Sequence, residues 1–310
     1  MRILFITSTY LGDAIISTGI LESLRLKHPD AKFTVACGPI PAPLFEGMPQ
    51  LERLIPIQKQ SYSRHWFKLW TQCILKKWDL AVDVRGTGLS HFLFAKKRRI
   101  WGSSGAQDLR VHQLSKFMGM DQTPPSKIHV SETHQQEAAN LLKNKNPIIC
   151  LSPAANWDKK CWPLEHFAKL ATELRSPKGR FPSATIAILG APNQREELDP
   201  LFQALPKEAT LDLVGKTSLP TLAALLEQST FFVGNDSGLM HLAAAMDTPT
   251  LGLFGPSPEN IYAPWGKNAT YIRTKSSFKE AMALAEQGDN IMHTLSVDDV
   301  LEKVRTFLKK

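Results

Sequence analysis

Twice along this chain, short apolar runs of β-forming residues alternate with stretches patterned for helix, and each run ends in a small polar loop. No other feature restricts the fold as much, because parallel strands need a crossover between them and a helix is the usual one. Residues 2–7 (RILFIT) are such a run; LGD follows, and Ile16, Ile20 and Leu24 then fall at helical spacing. Residues 32–37 (KFTVAC) form the next run, entered after His28-Pro29-Asp30, and residues 80–84 (LAVDV) another, followed by RGTG. The pattern restarts at residues 148–152 (IICLS), closed by Pro153, with a helix over 163–174 that carries proline in its first turn. Strands follow at 184–189, 230–233 and 250–254, with helices at 221–226 and 239–246 between them. The expected fold is therefore α/β, in two halves of similar size with a parallel sheet in each. Their expected bounds are residues 1–145 and 146–294, joined across the polar, proline-ended stretch 143–147 (KNKNP). A closing helix is expected within 295–310, where Val297, Val300, Leu301, Val304 and Leu308 share a face behind a Ser296 N-cap.

The 310 residues suffice for two such cores, and an apolar content of 43% is that of a globular chain. The net charge of +8 favours acidic partners: phosphates, nucleic acid or an anionic membrane surface. The basic residues form no recognised nucleic-acid module, so nucleic acid is the weakest of the three. The four cysteines have neither CxxC spacing nor a histidine pair to complete a zinc pattern; they suit a reducing cytosol as packing residues. No apolar run reaches membrane-spanning length. The start MRILFITSTYLGDAII has some likeness to a signal peptide, but Asp13 interrupts it and no clean cleavage site follows, so it is expected as a buried strand.

Open parallel sheets bind ligands beyond the carboxyl ends of their strands, which directs attention to four loops. In Leu11-Gly12-Asp13, Gly12 is expected to turn the backbone tightly and Asp13 to lie at a helix N-terminus, as a group facing a cleft or as a simple cap. The loop lacks GxGxxG, so the dinucleotide fingerprint of a dehydrogenase is missing. Residues 152–163 (SPAANWDKKCWP) place Asn156, Lys159 and Lys160 before a helix, where ammonium and free N–H groups together suit a diphosphate; two solvated lysines are the plainer reading. Residues 233–241 (VGNDSGLMH) feed a strand into an apolar helix: Ser237 and Gly238 offer N–H groups, Asp236 can accept from hydroxyls, and His241 is more ordinarily structural. Residues 255–260 (GPSPEN) make a rigid loop beside it, or a plain turn.

Together these loops resemble the ADP-heptose:lipopolysaccharide heptosyltransferases, glycosyltransferase family 9. The matching features are Gly12-Asp13 after the first strand, Lys160-Cys161-Trp162-Pro163, the stretch from Asp236 to Ala245, and Pro249 with Gly255-Pro256-Ser257. The resemblance implies the GT-B fold, two Rossmann-like domains facing a cleft, with the acceptor held by the first and the donor by the second. It implies inverting, metal-independent transfer with no cofactor; no D-x-D motif is present. Carried over residue by residue, Asp13 matches the proposed catalytic base and Lys160 the lysine at the donor diphosphate. Asp236 matches a carboxylate at the donor sugar, and Ser237 and Gly238 match phosphate contacts. Asn156 stands where some members have a phosphate-binding threonine. Gln194 and Thr217 lie in loops that approach the nucleoside in relatives.

The implied donor is ADP-heptose and the implied acceptor the acidic lipopolysaccharide inner core, which places the protein in the cytoplasm in peripheral contact with the inner membrane. Cations of the first domain would meet such an acceptor: Lys59, Arg64, Arg85 and the run 96–99 (KKRR), although charge runs are usually solvated faces. Trp66, Phe67 and Trp70 suit either a sugar or membrane contact or the core. Two other readings stay open, a family member using a different nucleotide sugar or glycan acceptor, and a non-catalytic nucleotide-sugar-binding protein.

Overall fold

The computed structural model of the chain describes every residue except 103, 104, 106, 144 and 310. Residue 144 of the expected linker and residue 310 of the expected closing segment therefore lie outside the described residues.

The first compact unit is Met1–Ser131. It runs β1 (Arg2–Ile6), α1 (Leu11–Ile16), α2 (Thr18–Lys27), β2 (Lys32–Cys37), β3 (Leu51–Pro56), α3 (Arg64–Cys73), β4 (Trp78–Asp83), β5 (Ala95–Ile100) and α4 (Arg110–Met118). Strands β1 to β5 are all parallel, in the order β3-β2-β1-β4-β5. The central strand β1 is buried on both faces from Ile3 to Ile6, so it is a continuous apolar run rather than an alternating one. Leu69 and Cys73 of α3 pack with Leu4, Ile6, Ala36, Ala81, Leu89 and Leu93 to close one face of the sheet.

The second unit is Glu132–Lys310. It runs α5 (Glu132–Leu142), β6 (Ile148–Ser152), α6 (Leu164–Arg175), β7 (Thr185–Ile188), α7 (Asp199–Ala204), β8 (Thr210–Asp212), α8 (Leu219–Glu227), β9 (Phe231–Asn235), α9 (Gly238–Ala245), β10 (Thr250–Phe254), α10 (Glu259–Tyr262), β11 (Ala269–Arg273), α11 (Phe278–Glu286) and α12 (Val297–Phe307). Strands β6 to β11 are parallel and lie in the order β11-β10-β9-β6-β7-β8. The unit begins before the expected boundary at 145/146 because α5 packs on α8, where the Thr221 hydroxyl donates to Glu137 at 2.6 Å. The closing helix α12 starts at the expected cap, Ser296 accepting from the Asp299 amide at 3.1 Å, and buries Val297, Val300 and Val304 in the same core as Phe167, Leu170 and Leu174 of α6.

The thiols of Cys37, Cys73 and Cys150 are buried, and burial pushes them up to about 12, 11 and 12, as suits packing residues.

Candidate functional site

Both sheets have the same winding: outward from a first strand to one edge, then back beside that first strand and on to the other edge. The direction reverses between β1 and β4 in the first unit, and between β6 and β9 in the second. Loops leaving adjacent strands at such a reversal diverge to opposite faces and leave a crevice at the carboxyl ends.

In the second unit the loops after β6 and β9 carry Lys160 and Asp236. Register pairs Ser152 with Gly234, and a Cβ at Gly234 would lie 2.7 Å from the Ser152 Cβ and 2.8 Å from its carbonyl oxygen, so only glycine lets the strands close there. The next residue, Asn235, is fully buried. Its Nδ2 donates to the Pro153 carbonyl at 2.6 Å and its Oδ1 accepts from the Trp162 amide at 3.0 Å, clamping both ends of the loop that holds Lys160. The Trp162 ring is buried as well, with Nε1 donating to the Leu295 carbonyl at 2.8 Å. Held this way, Lys160 Nζ donates to Asp236 Oδ2 at 2.7 Å, with the Lys160 side chain 22% and the Asp236 side chain 8% exposed. The neighbouring lysine is used otherwise: Lys159 donates to the Gly288 carbonyl and faces Asp158 at 3.4 Å. The two lysines, alike in sequence, have separate roles in the fold.

Ser237 is the N-cap of α9 and Gly238 its first residue. Among the described residues the buried Ser237 hydroxyl has no partner and caps nothing. The Ser257 hydroxyl, after the adjacent strand β10, is likewise buried with no partner among the described residues. The loop around it is a braced turn, since Arg273 donates to the Gly255 carbonyl at 2.9 Å and pairs with Glu259. His241 is buried on α9. Asn156 is exposed. Gln194 and Thr217 follow β7 and β8 at the same sheet end, and their loops are joined where the Gly215 amide donates to the Gly190 carbonyl at 3.0 Å. Gln194 Oε1 is occupied by the Ala191 amide at 2.8 Å.

In the first unit Asp13 follows β1 and Arg85 follows β4. Gly12 lies inside α1, so the tight loop turn expected of it is instead the first turn of a helix. Asp13 does not cap that helix: Tyr10 is the N-cap, and the half-buried Asp13 carboxylate has no hydrogen bond or ion pair among the described residues. The RGTG loop is shaped by Asp83, whose fully buried carboxylate accepts from the amides of Arg85, Gly86 and Thr87 and from the Thr87 hydroxyl at 2.7 to 3.1 Å. Those four donors satisfy a buried charge. The loop sets the Arg85 guanidinium over the Trp66 ring, 4.9 Å from its centroid, and leaves one of its nitrogens buried with no partner among the described residues. Arg64 and Lys59 are exposed. The run 96–99 lies on the edge strand β5, where charge discourages pairing with another chain. Lys96 pairs with Asp79 at 2.7 Å and Arg98 donates to the carbonyls of Ser90 and Leu93, so half of that run braces its own unit.

Asn235 and Asp83 are the residues that sequence reasoning overlooks. Asn235 had a visible signal, an asparagine, uncommon in strands, at the end of a buried one. Asp83 in LAVDV reads as part of an apolar run, and its nest of donors exists only once the following turn has formed.

Residues 88–287 match the model of Glycosyltransferase family 9 (heptosyltransferase). The chain is 28% identical over 314 residues to lipooligosaccharide heptosyltransferase 2 of Haemophilus influenzae, covering 88% of each. Its structure superposes on the family 9 glycosyltransferase of Veillonella parvula with a TM-score of 0.83 at 19% identity, over 99% of this chain and 97% of that one. It superposes on the ADP-heptose LPS heptosyltransferase II of E. coli with a TM-score of 0.76 at 21% identity, over 100% and 99%. The two like-wound parallel sheets are those of the GT-B fold. The chain belongs to glycosyltransferase family 9, the heptosyltransferase family.

Proposed function

We propose that this glycosyltransferase moves a heptose from ADP-heptose to the inner core of lipopolysaccharide, with inversion at the anomeric carbon and without a metal ion, working from the cytoplasm against the inner membrane. The observation that carries this reading is the Lys160–Asp236 pair at the β6/β9 reversal, beside the N-terminus of α9. One N–H of the ammonium is engaged by Asp236, which leaves two for a diphosphate, and the first amides of α9 add fixed positive potential. The E. coli and Haemophilus relatives named for ADP-heptose and for lipooligosaccharide support the substrate pair.

In the proposed reaction the acceptor hydroxyl gives its proton to the Asp13 carboxylate as its oxygen bonds to the anomeric carbon. The bond from that carbon to the diphosphate oxygen breaks, and ADP leaves with its electron pair. Lys160 and the amides at Ser237 and Gly238 stabilise the charge that grows on the leaving group. Asp236 orients the sugar, Asn156 lies on the phosphate side, Gln194 and Thr217 approach the nucleoside, and Arg64 and Arg85 meet the acidic acceptor. A single displacement of this kind inverts the configuration.

Asp13→Ala tests the reading. Transfer from ADP-heptose to a deacylated inner-core acceptor should be abolished while calorimetry still detects the donor; retained turnover removes Asp13 as the base. A panel of nucleotide sugars titrated into the unaltered protein checks the donor, and tighter binding of a uridine or guanosine sugar would replace ADP-heptose.

A further inference from the structure

The exposed side of α3 joins an exposed aromatic edge that the transfer chemistry does not use. Along α3, Arg64, Phe67, Lys68 and Thr71 share the outward face, while His65, Leu69 and Cys73 face the core. Phe67 stacks on Trp70 with ring centroids 5.7 Å apart, and Trp70 Nε1 donates to the Phe92 carbonyl at 3.0 Å, which seats the 89–94 segment beside the helix. Leu93 is buried in that segment, so Phe92 and Phe94 flank it pointing outward, 72% and 64% exposed; Phe67 is 67% and Leu75 92% exposed. Phe67, Phe92 and Phe94, linked through Trp70, are more than scattered surface hydrophobics, and Leu75 adds an exposed apolar side chain just past the end of α3.

The charge around them is predominantly positive, although Glu52 pairs with Lys76 and Asp79 with Lys96. Residues 57–78 hold five Lys or Arg and no carboxylate, and residues 84–107 repeat that composition. The unit Met1–Ser131 carries 18 Lys and Arg against nine Asp and Glu, whereas Glu132–Lys310 carries 19 against 20. The basic excess of the whole chain is thus an excess of the first unit. Beside Phe94, a depression of about 750 Å³ at the amino ends of the strands is lined by Arg2, Lys32, Lys77 and Lys96, with Asp30 and Asp79 also on its wall.

From this juxtaposition we propose that Phe67, Leu75, Phe92 and Phe94 form a docking face for an anionic lipid bilayer, with Lys68, Lys77 and their neighbours at headgroup level. Apolar side chains that insert shallowly and cations that stay in the interface supply two weak signals that together hold a protein on a membrane. This deepens the proposed function by naming the surface that brings the enzyme to a lipid-anchored acceptor.

The full chain should cosediment with vesicles of phosphatidylethanolamine and phosphatidylglycerol (7:3) and far less with pure phosphatidylcholine, and added salt should weaken the binding. Phe92→Ser with Phe94→Ser should reduce partitioning about tenfold or more, as should Lys68→Glu with Lys77→Glu, with unchanged circular dichroism and unchanged turnover of a deacylated, water-soluble acceptor. Equal binding to neutral vesicles, or phenylalanine variants that partition like the parent, would overturn the proposal. So would a concentration-dependent dimer abolished by Phe67→Ser, which would assign the face to a second copy. Failure of ADP-heptose turnover in the parent protein, with lipid binding intact, would count against the proposed function alone.

Discussion

The two units share a winding and differ in how their reversal-point loops are held. In the second, buried polar groups lock the loop after β6 to the strand β9 through Asn235 and Trp162, and a lysine and a carboxylate close the crevice at 2.7 Å. In the first, Asp13 is half-buried with no partner among the described residues, Arg64 is exposed, and the Asp83 nest fixes the loop beneath Arg85. The difference suits the proposed roles. A diphosphate leaving group needs charges already in place when its bond breaks, whereas a base must be free to take a proton and cations for a large glycolipid must reach out of the surface.

Asp13 offers the largest effect with which to break this contrast. Asp13→Asn should lower kcat by about 10²–10⁴ with little change in ADP affinity, because the Asp13 carboxylate has no hydrogen bond among the described residues. A comparable loss of thermal stability would show that Asp13 is part of the scaffold after all. Lys160→Ala is next, at about 10²–10³ in kcat/KM. Asp236→Asn leaves the ammonium without its partner, and a double-mutant cycle between the two should show strong non-additivity. Additive losses would mean that the pair does not act as a unit.

Asn235→Ala asks whether the lock itself positions the proposed donor site. It strands the Pro153 carbonyl and the Trp162 amide without their partners, which should cost about 2–3 kcal/mol of stability in chemical denaturation. Donor affinity should fall with it although Asn235 lies under the loop, and a destabilised variant that binds ADP unchanged would separate the lock from the site. Arg85→Ala should raise the acceptor KM about tenfold while leaving donor KM alone. Arg85→Lys should recover only part of that, since an ammonium cannot reproduce the flat stacking of a guanidinium on Trp66.

Much of the molecule is legible in the sequence where burial is two-sided. The strands β1, β6 and β10 are apolar runs because both their faces are covered, and the loops following β1 and β6 announce themselves by contrast. The edges are not legible in that way. β5 reads AKKRRI, a charge run, because an edge strand exposed to water is kept charged; β3 and β11 are half-exposed for the same reason. Lys159 and Lys160 could not be told apart by spacing, since their difference arises only when Asn235 and Trp162 fix the turn between them and the sheet. The opposite failure occurred at Gly12, where glycine suggested a turn and the chain continues as helix.

The first unit does have a lock of its own, far along the chain from the reversal point. Glu22 on α2 accepts from Arg25 at 2.7 and 2.8 Å and lies 2.9 Å from His129 Nε2, tying the helix to the segment that ends the unit. The Arg25 guanidinium first, and the His129 contact after it, hold the Glu22 carboxyl at about 2, below its ordinary 4.5. Because the folded value is the lower one, the unfolded chain binds more protons between those limits. The contribution is therefore present in full above about pH 5 and disappears as pH falls from 4.5 towards 2. Partial exposure to solvent screens it, so Glu22→Gln should destabilise the unit by about 1 kcal/mol at pH 7 and by almost nothing at pH 2. Amide exchange of α2 and of residues 127–130, followed at pH 7, 4 and 3, reads this directly, since the parent and the variant should converge as the acid is raised. A gap that stays constant over that range would show that Glu22 acts through packing, and the ordering of the first unit would then owe nothing to charge at this end.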